Sequence, residues 1–320
     1  IDPEMKSDIL EVAWASVTRP GGQVSGVPFL MESFIGLYNE DMLRAAGVPP
    51  PTFAHPWTWS DFRAAALRLT ADTTGDGRVD RWGGAIGLRN SGNIIMNLSI
   101  GFGGSFFRRE GEKYVVRVGP GERELLSTLH DMIYVDRSMS PSGVGQSGPG
   151  MIPGFFAGRY AMLVGIGAWS RQQLAVNAPP GFRWGIIPPL KARTQNAGTS
   201  AQTLSIPAAS KHKAEAMEFI RFMLNRKNMA RLALADWMLP ARRSCLALPE
   251  FNSSAGGWDV TTAAAIFLST GPWLGAPGYV EWKSRVANPV LQEYFSDRIS
   301  LDEAARRIEE ESDAVLSRYQ

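Results

Sequence analysis

The run Gly26-Val27-Pro28-Phe29-Leu30-Met31-Glu32-Ser33-Phe34-Ile35-Gly36-Leu37-Tyr38-Asn39 is predominantly apolar and carries a single carboxylate, Glu32. Its second half, Phe34 to Tyr38, reads as a buried strand. A charge in apolar company needs a partner, because charged side chains are rarely buried unpaired. Glu32 therefore either belongs to an internal network or faces a binding cleft.

Outward from this run, short strands alternate with helices. Further strands are expected at Gly83 to Leu88, Tyr114 to Val118, Tyr160 to Gly165, Trp184 to Ile187 and Gln202 to Ile206. Thr58 with Asp61 gives a cap-like start, after which Phe62, Ala65, Ala66 and Leu69 recur on one helical face. Glu122 to Val135 repeats that spacing with Leu125, Leu126, Leu129 and Ile133. A long helical region follows Ser210, with a break at Asn225 to Lys227, and Ser300 with Glu303 marks the start of a terminal helix. The Gly/Ser/Pro-rich stretch Gly143 to Gly150 reads as a flexible surface loop. Alternation of this kind predicts α/β layers with ligands at strand ends.

Composition excludes several classes. With 320 residues the chain is long enough for two lobes and a sizeable core. A net charge of +2 with scattered Lys and Arg gives no footprint for nucleic acid or an anionic membrane. No apolar run reaches the ~18 residues that a membrane-spanning helix needs. The chain begins Ile1-Asp2-Pro3, with no initiating Met and no export-signal pattern. Cys245 is the sole cysteine, which forbids an internal disulfide, and His55, His130 and His212 match no metal motif. Gly101-Phe102-Gly103-Gly104 lacks the ending of a nucleotide loop, and no G-x-S-x-G nucleophile elbow is present.

Ten Trp residues are many for such a chain. Trp169, Trp237 and Trp273 stand beside Gly, Pro or polar residues rather than inside apolar runs. Each either packs a core or offers a flat platform for a sugar ring. One stretch has the composition of a calcium loop: Asp72-Thr73-Thr74-Gly75-Asp76-Gly77-Arg78-Val79-Asp80. Oxygen ligands would come from Asp72, Thr74, Asp76, the Arg78 carbonyl and Asp80. Gly83 holds the twelfth position, where such loops place a bidentate Glu, so a metal-free Asp/Gly turn is the competing reading.

Taken in order, several short pieces form a pattern. They are Gly26-Val27-Pro28, Leu37-Tyr38-Asn39, Ala46-Gly47-Val48-Pro49, Thr58-Trp59-Ser60-Asp61-Phe62, the run from Phe155 to Met162, Ser205-Ile206-Pro207-Ala208-Ala209-Ser210, and Leu239-Pro240-Ala241-Arg242. From about residue 20 onward the chain thereby resembles the extracytoplasmic solute-binding proteins of ABC importers, in the sugar-binding group that includes maltose-binding protein. The resemblance implies a two-lobed α/β fold, periplasmic-binding-protein-like, with strands crossing a hinge near Met31 to Phe34 and near Gly198 to Gln202. It assigns residues 1–33 and 202–264 to a first lobe, and 34–201 and 265–320 to a second. Family members carry a longer stretch before the Gly-x-Pro segment, which this chain reaches at Gly26. The resemblance therefore implies an incomplete first lobe here.

The implied function is capture of a sugar or oligosaccharide for the membrane subunits of an ABC transporter. The implied setting is extracytoplasmic, periplasmic or as a membrane-tethered lipoprotein, with the protein a monomer. The resemblance places ligand contacts at Glu32, Ser33, Gly167, Trp169, Asp236, Trp237, Arg243 and Trp273. It needs no cofactor for function and no covalent chemistry. Some relatives carry a similar calcium loop, which would make the Asp72–Asp80 ion structural and distant from the cleft. Two alternatives stay open. The ligand could be a non-sugar solute such as a polyol phosphate or a peptide. The chain could also be a glycoside hydrolase, which needs two carboxylates about 5 to 10 Å apart, such as Glu32 with Asp236.

Overall fold

A computed structural model describes residues 2–19 and 21–319. Two sheets organise it. In the larger, the strands Trp82–Ile86, Tyr160–Gly167, Phe34–Asn39 and Trp184–Ile187 lie side by side in that order. The first pair is parallel and the others antiparallel. In the smaller, Val27–Met31 is central between Leu239–Pro240 and Ala201–Leu204, antiparallel to both. The apolar run read from the sequence is therefore two strands, one in each sheet. Glu32 and Ser33 form the joint between them.

Each sheet has its own apolar packing. Around the small one gather Ile9, Ala13, Leu30, Met31, Leu224, Met229, Ala233, Phe251 and Trp258. The large sheet buries Leu37, Leu163 and Ile166 on one side, with Phe155 and Leu174. On its other side Phe62, Ala66, Leu125, Leu129 and Met162 join a core that continues into Trp282, Phe295 and Ile308. The short parallel pair Ala197–Thr199 and Leu268–Thr270 lies where the chain passes between these two bodies.

Helix ends follow local chemistry. Thr58 and Asp61 form a complete capping box at the start of Trp59–Leu69. Asn225 closes the helix Lys213–Leu224 and caps the next, Arg226–Asp236, through Lys227 N. Ser300 caps Leu301–Leu316, while the Glu303 carboxylate pairs with Arg306. The stretch Gly143 to Gly150 departs from expectation. It folds into two short turns packed on the large sheet, with Gly143 and Val144 buried. The Gly143 carbonyl accepts from Leu88 N, and a Cβ at Gly143 would sit 2.0 Å from the Ile86 carbonyl oxygen. Small residues here allow close backbone approach rather than flexibility.

Candidate functional site

Two of the chain crossings, at Glu32 and at Thr199-Ser200, are fastened to each other. The Glu32 backbone N–H donates to Ser200 O at 2.9 Å, and Thr199 Oγ1 donates to Glu32 O at 2.5 Å. Ser200 Oγ donates to Glu32 Oε2 at 2.7 Å. Glu32 is half-buried, so its other carboxylate oxygen remains available on the open side.

That open side is a cleft of about 380 Å³ lined by Glu32, Trp169, Gln172, Gln202, Ala235, Asp236 and Met238. Three side chains expected at the site, Glu32, Trp169 and Asp236, thus meet in one cavity. Trp169 enters from the short turn Ala168–Ser170 that follows the strand Tyr160–Gly167. Its ring lies over Gly167, where a Cβ would come within 2.2 Å of the indole. Gly167 is thereby covered by the platform instead of forming a wall itself. Asp236 ends the helix Arg226–Asp236 and is exposed to the cleft.

The remaining expected residues lie elsewhere. Ser33 is 5% exposed, and its hydroxyl has no hydrogen-bond partner among the described residues. It borders a narrow apolar crevice behind the joint, with Ile186, Leu239 and Val260. Trp237 turns inward in the left-handed backbone region, at φ +55°, and stacks on Trp258 at 5.6 Å. Its ring is partly buried, packs against the smaller core and is absent from the cleft wall. Arg243 donates to Ser7 O at 2.7 Å on the N-terminal face. Trp273 is 2% exposed, inside the core of the larger body.

The sequence reading passed over several contributors. Gln172 is in the first turn of the helix Arg171–Asn177 that follows the Trp169 turn, and Gln202 and Met238 stand on the strand and turn flanking Glu32 and Asp236. Tyr279 was missed as well. Burial, followed by the nearby Glu32 charge, holds its hydroxyl well above the usual phenol range. The Tyr279 hydroxyl donates weakly to Asn93 Oδ1 at 3.4 Å, and Lys283 Nζ lies 5.3 Å from its ring centroid. Tyr279 thus brings one polar group of the larger body within electrical reach of the Glu32 carboxylate.

The Asp72–Asp80 loop lies apart from this cleft. Asp72 accepts from the N–H groups of Thr74, Gly75 and Gly77, Asp80 from Thr73, and Asp76 from Arg78. The amides of Gly77 and Gly75 hold the Asp72 carboxyl below its usual range, and Thr73 does the same for Asp80. Among the described residues no three His, Cys, Asp or Glu side chains are gathered in a metal-holding group. No helix of the described residues is long and apolar enough to cross a membrane.

Residues 1–230 match the model of the bacterial extracellular solute-binding protein family. The chain belongs to that family, in agreement with the resemblance carried by Gly26 to Asn39 and the pieces after it. A Streptomyces antibioticus protein, described as an uncharacterized lipoprotein in the oleD 5' region, is 41% identical over 300 residues. The match covers 93% of this chain and 64% of that relative, so the chain spans less than two thirds of its length. Among solved structures, the sugar-binding protein MalE of Xanthomonas citri superposes with a TM-score of 0.82 at 20% identity, over 98% of this chain and 76% of that one. An ABC substrate-binding protein of Listeria monocytogenes in complex with cycloalternan gives 0.77 at 21%, covering 99% and 77%. These likenesses show the fold: two-lobed, α/β and periplasmic-binding-protein-like.

Proposed function

We propose that this protein binds a neutral sugar or oligosaccharide between its lobes and hands it to the membrane subunits of an ABC importer. The observation that carries this reading is the meeting of the Trp169 indole with the Glu32 and Asp236 carboxylates in one cleft at the chain crossings. An aromatic face suits the apolar side of a sugar ring, and ionised acceptors bind its hydroxyls more strongly than neutral ones. Gln172 and Gln202 add both donors and acceptors. Two carboxylates on one wall oppose an anionic guest, which argues against a polyol phosphate. The Listeria relative, held in complex with cycloalternan, supports an oligosaccharide.

Binding would shift the lobes toward a closed arrangement about the joint at Glu32 and Ser200, as in hinge closure generally. Work of this kind requires no bond-making, and we assign none. The setting is extracytoplasmic, as the family's description says, and tethering as a lipoprotein follows the Streptomyces relative. Titration calorimetry with maltose, maltotriose, a cyclic tetrasaccharide, a polyol phosphate and a short peptide tests the reading. Saturable binding of a neutral saccharide without turnover is expected; binding confined to the phosphate or the peptide overturns it. Because Glu32 and Asp236 share the cleft, chromatography of the recovered sugar tests the hydrolase reading at the same time. Cleaved product would decide for an enzyme.

A structural calcium ion in the Asp72–Asp80 loop is a separate proposal. The Asp72 charge pushes the Asp80 carboxyl upward against its hydrogen bonds, a repulsion that a divalent cation would relieve.

A further inference from the structure

Arg171 is fully buried and has no carboxylate partner among the described residues. Burying an unpaired guanidinium is costly, and an aliphatic side chain of similar length would fill the space without that cost. What the guanidinium does here is reach in four directions. Nε donates to Ala168 O at 2.9 Å, within its own turn. Nη1 donates to Gly256 O at 3.0 Å and to Thr261 Oγ1 at 2.8 Å. Nη2 donates to Trp237 O at 3.2 Å. The cation also lies 4.2 Å from the Trp258 ring centroid and 5.4 Å from that of Trp237.

These acceptors sit in significant places. Ala168 and Arg171 bracket the turn that carries Trp169, with Gln172 directly after it. Trp237 separates Asp236 from Met238 and holds a left-handed backbone conformation that a side chain of its size rarely adopts. Five of the seven cleft residues, Trp169, Gln172, Ala235, Asp236 and Met238, come from these two short segments. One side chain behind the wall therefore ties together the two pieces of chain that make most of it. A fork with five donors suits that task better than a single ammonium does.

We propose that Arg171 is a positioning residue for the cleft, clamping the Trp169 turn to the Trp237 carbonyl so that the aromatic platform and the Asp236 carboxylate keep a fixed separation. The proposal rests on the sugar-binding reading of the cleft. Burial pushes the Arg171 guanidinium down to about 9, which leaves it charged at neutral pH.

The test compares wild type with Arg171→Met and Arg171→Lys, using maltotriose titration and amide hydrogen exchange. In Arg171→Met, exchange over 168–172 and 235–238 is expected to rise about tenfold or more, while 160–166 in the central strand keeps its protection. Maltotriose affinity should fall by about tenfold, and Arg171→Lys should recover part of both losses. Exchange that rises evenly along the chain would make Arg171 an ordinary core residue and overturn the proposal. So would local loosening with unchanged maltotriose affinity. If the Met variant does not fold, Arg171→Lys is read alone: exchange at 168–172 and 235–238 should rise and affinity fall, each by less than about tenfold, and no change in either overturns the proposal. If wild type binds no maltotriose, the affinity arm uses whichever neutral saccharide of the titration series does bind; if none binds, the sugar reading fails and exchange at 235–238 alone decides whether Arg171 acts as the clamp.

Discussion

The Trp169 indole meets the Phe34 ring edge to face, with centroids 5.7 Å apart and planes at 71°. Phe34 opens the strand Phe34–Asn39 and packs against the core of the larger body, whereas Trp169 packs against that of the smaller. The pair therefore bridges the two bodies beside the joint, and the indole also forms part of the cleft wall. Both contacts contribute, so a truncation should separate them. Trp169→Ala is expected to weaken saccharide binding by roughly 1–3 kcal/mol, by analogy with base–aromatic stacking. Loss of the ring pair itself should cost stability by about 0.5–1.5 kcal/mol. Calorimetry and thermal melting on the same preparation read the two effects. A lower melting temperature with unchanged affinity would return Trp169 to packing alone.

Glu32 gives a cleaner case, because replacing it by Gln keeps the shape. In Glu32→Gln the Ser200 hydroxyl still finds an acceptor, so stability should change little. A sugar hydroxyl would lose its ionised acceptor, and affinity should drop by roughly 1.5–3 kcal/mol. Ser200→Ala in the wild-type and Glu32→Gln backgrounds completes a double-mutant cycle. Affinity that is indifferent to Glu32→Gln would assign the carboxylate to the joint between crossings and remove it from the ligand's surroundings.

What the sequence disclosed, it disclosed locally. The strand from Phe34, the Thr58–Asp61 box and the Asn225 break each depend on neighbours a few residues away. Glu32 stood out because a carboxylate in an apolar run has few explanations. Val27–Met31 escaped notice as a separate strand because its partners are distant in the chain, Leu30 pairing with Pro240 and with Gln202. Choosing between aromatic residues failed for a related reason. Trp273 and Tyr279 share one Pro/Gly-rich stretch, and composition cannot say which ring the chain turns inward. Gly278, at φ +80°, precedes the short helix Tyr279–Trp282, whereas Trp273 is folded into the core. Arg171 had no local signal. After Trp169-Ser170 it reads as a surface cation, and only the fold reveals that Gly256, Thr261 and Trp237 surround it.

The Asp72–Asp80 loop yields to a metal titration. If calcium joins Asp72 and Asp80, millimolar calcium should raise the melting temperature and a chelator should reverse the rise. Asp80→Ala removes one donor along with the Thr73 hydrogen bonds, so it should lower the melting temperature and abolish the calcium response together. Identical melting curves with calcium and with EDTA would leave an Asp/Gly turn held by its own amides, and the ion would be dropped.

Asp8 makes the stability of the N-terminal segment depend on pH. Its carboxylate accepts from Arg242 Nε at 2.6 Å, from Ser244 N at 2.8 Å and from the Ser244 hydroxyl. Burial pushes this carboxyl up, but the hydrogen bonds from Ser244 and Arg242 outweigh it and hold the group below its usual range. Since the folded state binds this proton less readily than the unfolded chain, the contribution is fully present above the ordinary carboxylate pKa. It is lost as pH falls through the lower folded value. Asp8→Asn should therefore destabilise the protein by roughly 1.5–3 kcal/mol at neutral pH, the range for hydrogen bonds to a charged group. The gap between variant and wild type should narrow below about pH 4. Urea unfolding at pH 7 and pH 3 measures both differences. A gap of equal size at the two pH values would mean that the Asp8 charge contributes nothing to this anchor and that its hydrogen-bonding shape alone does.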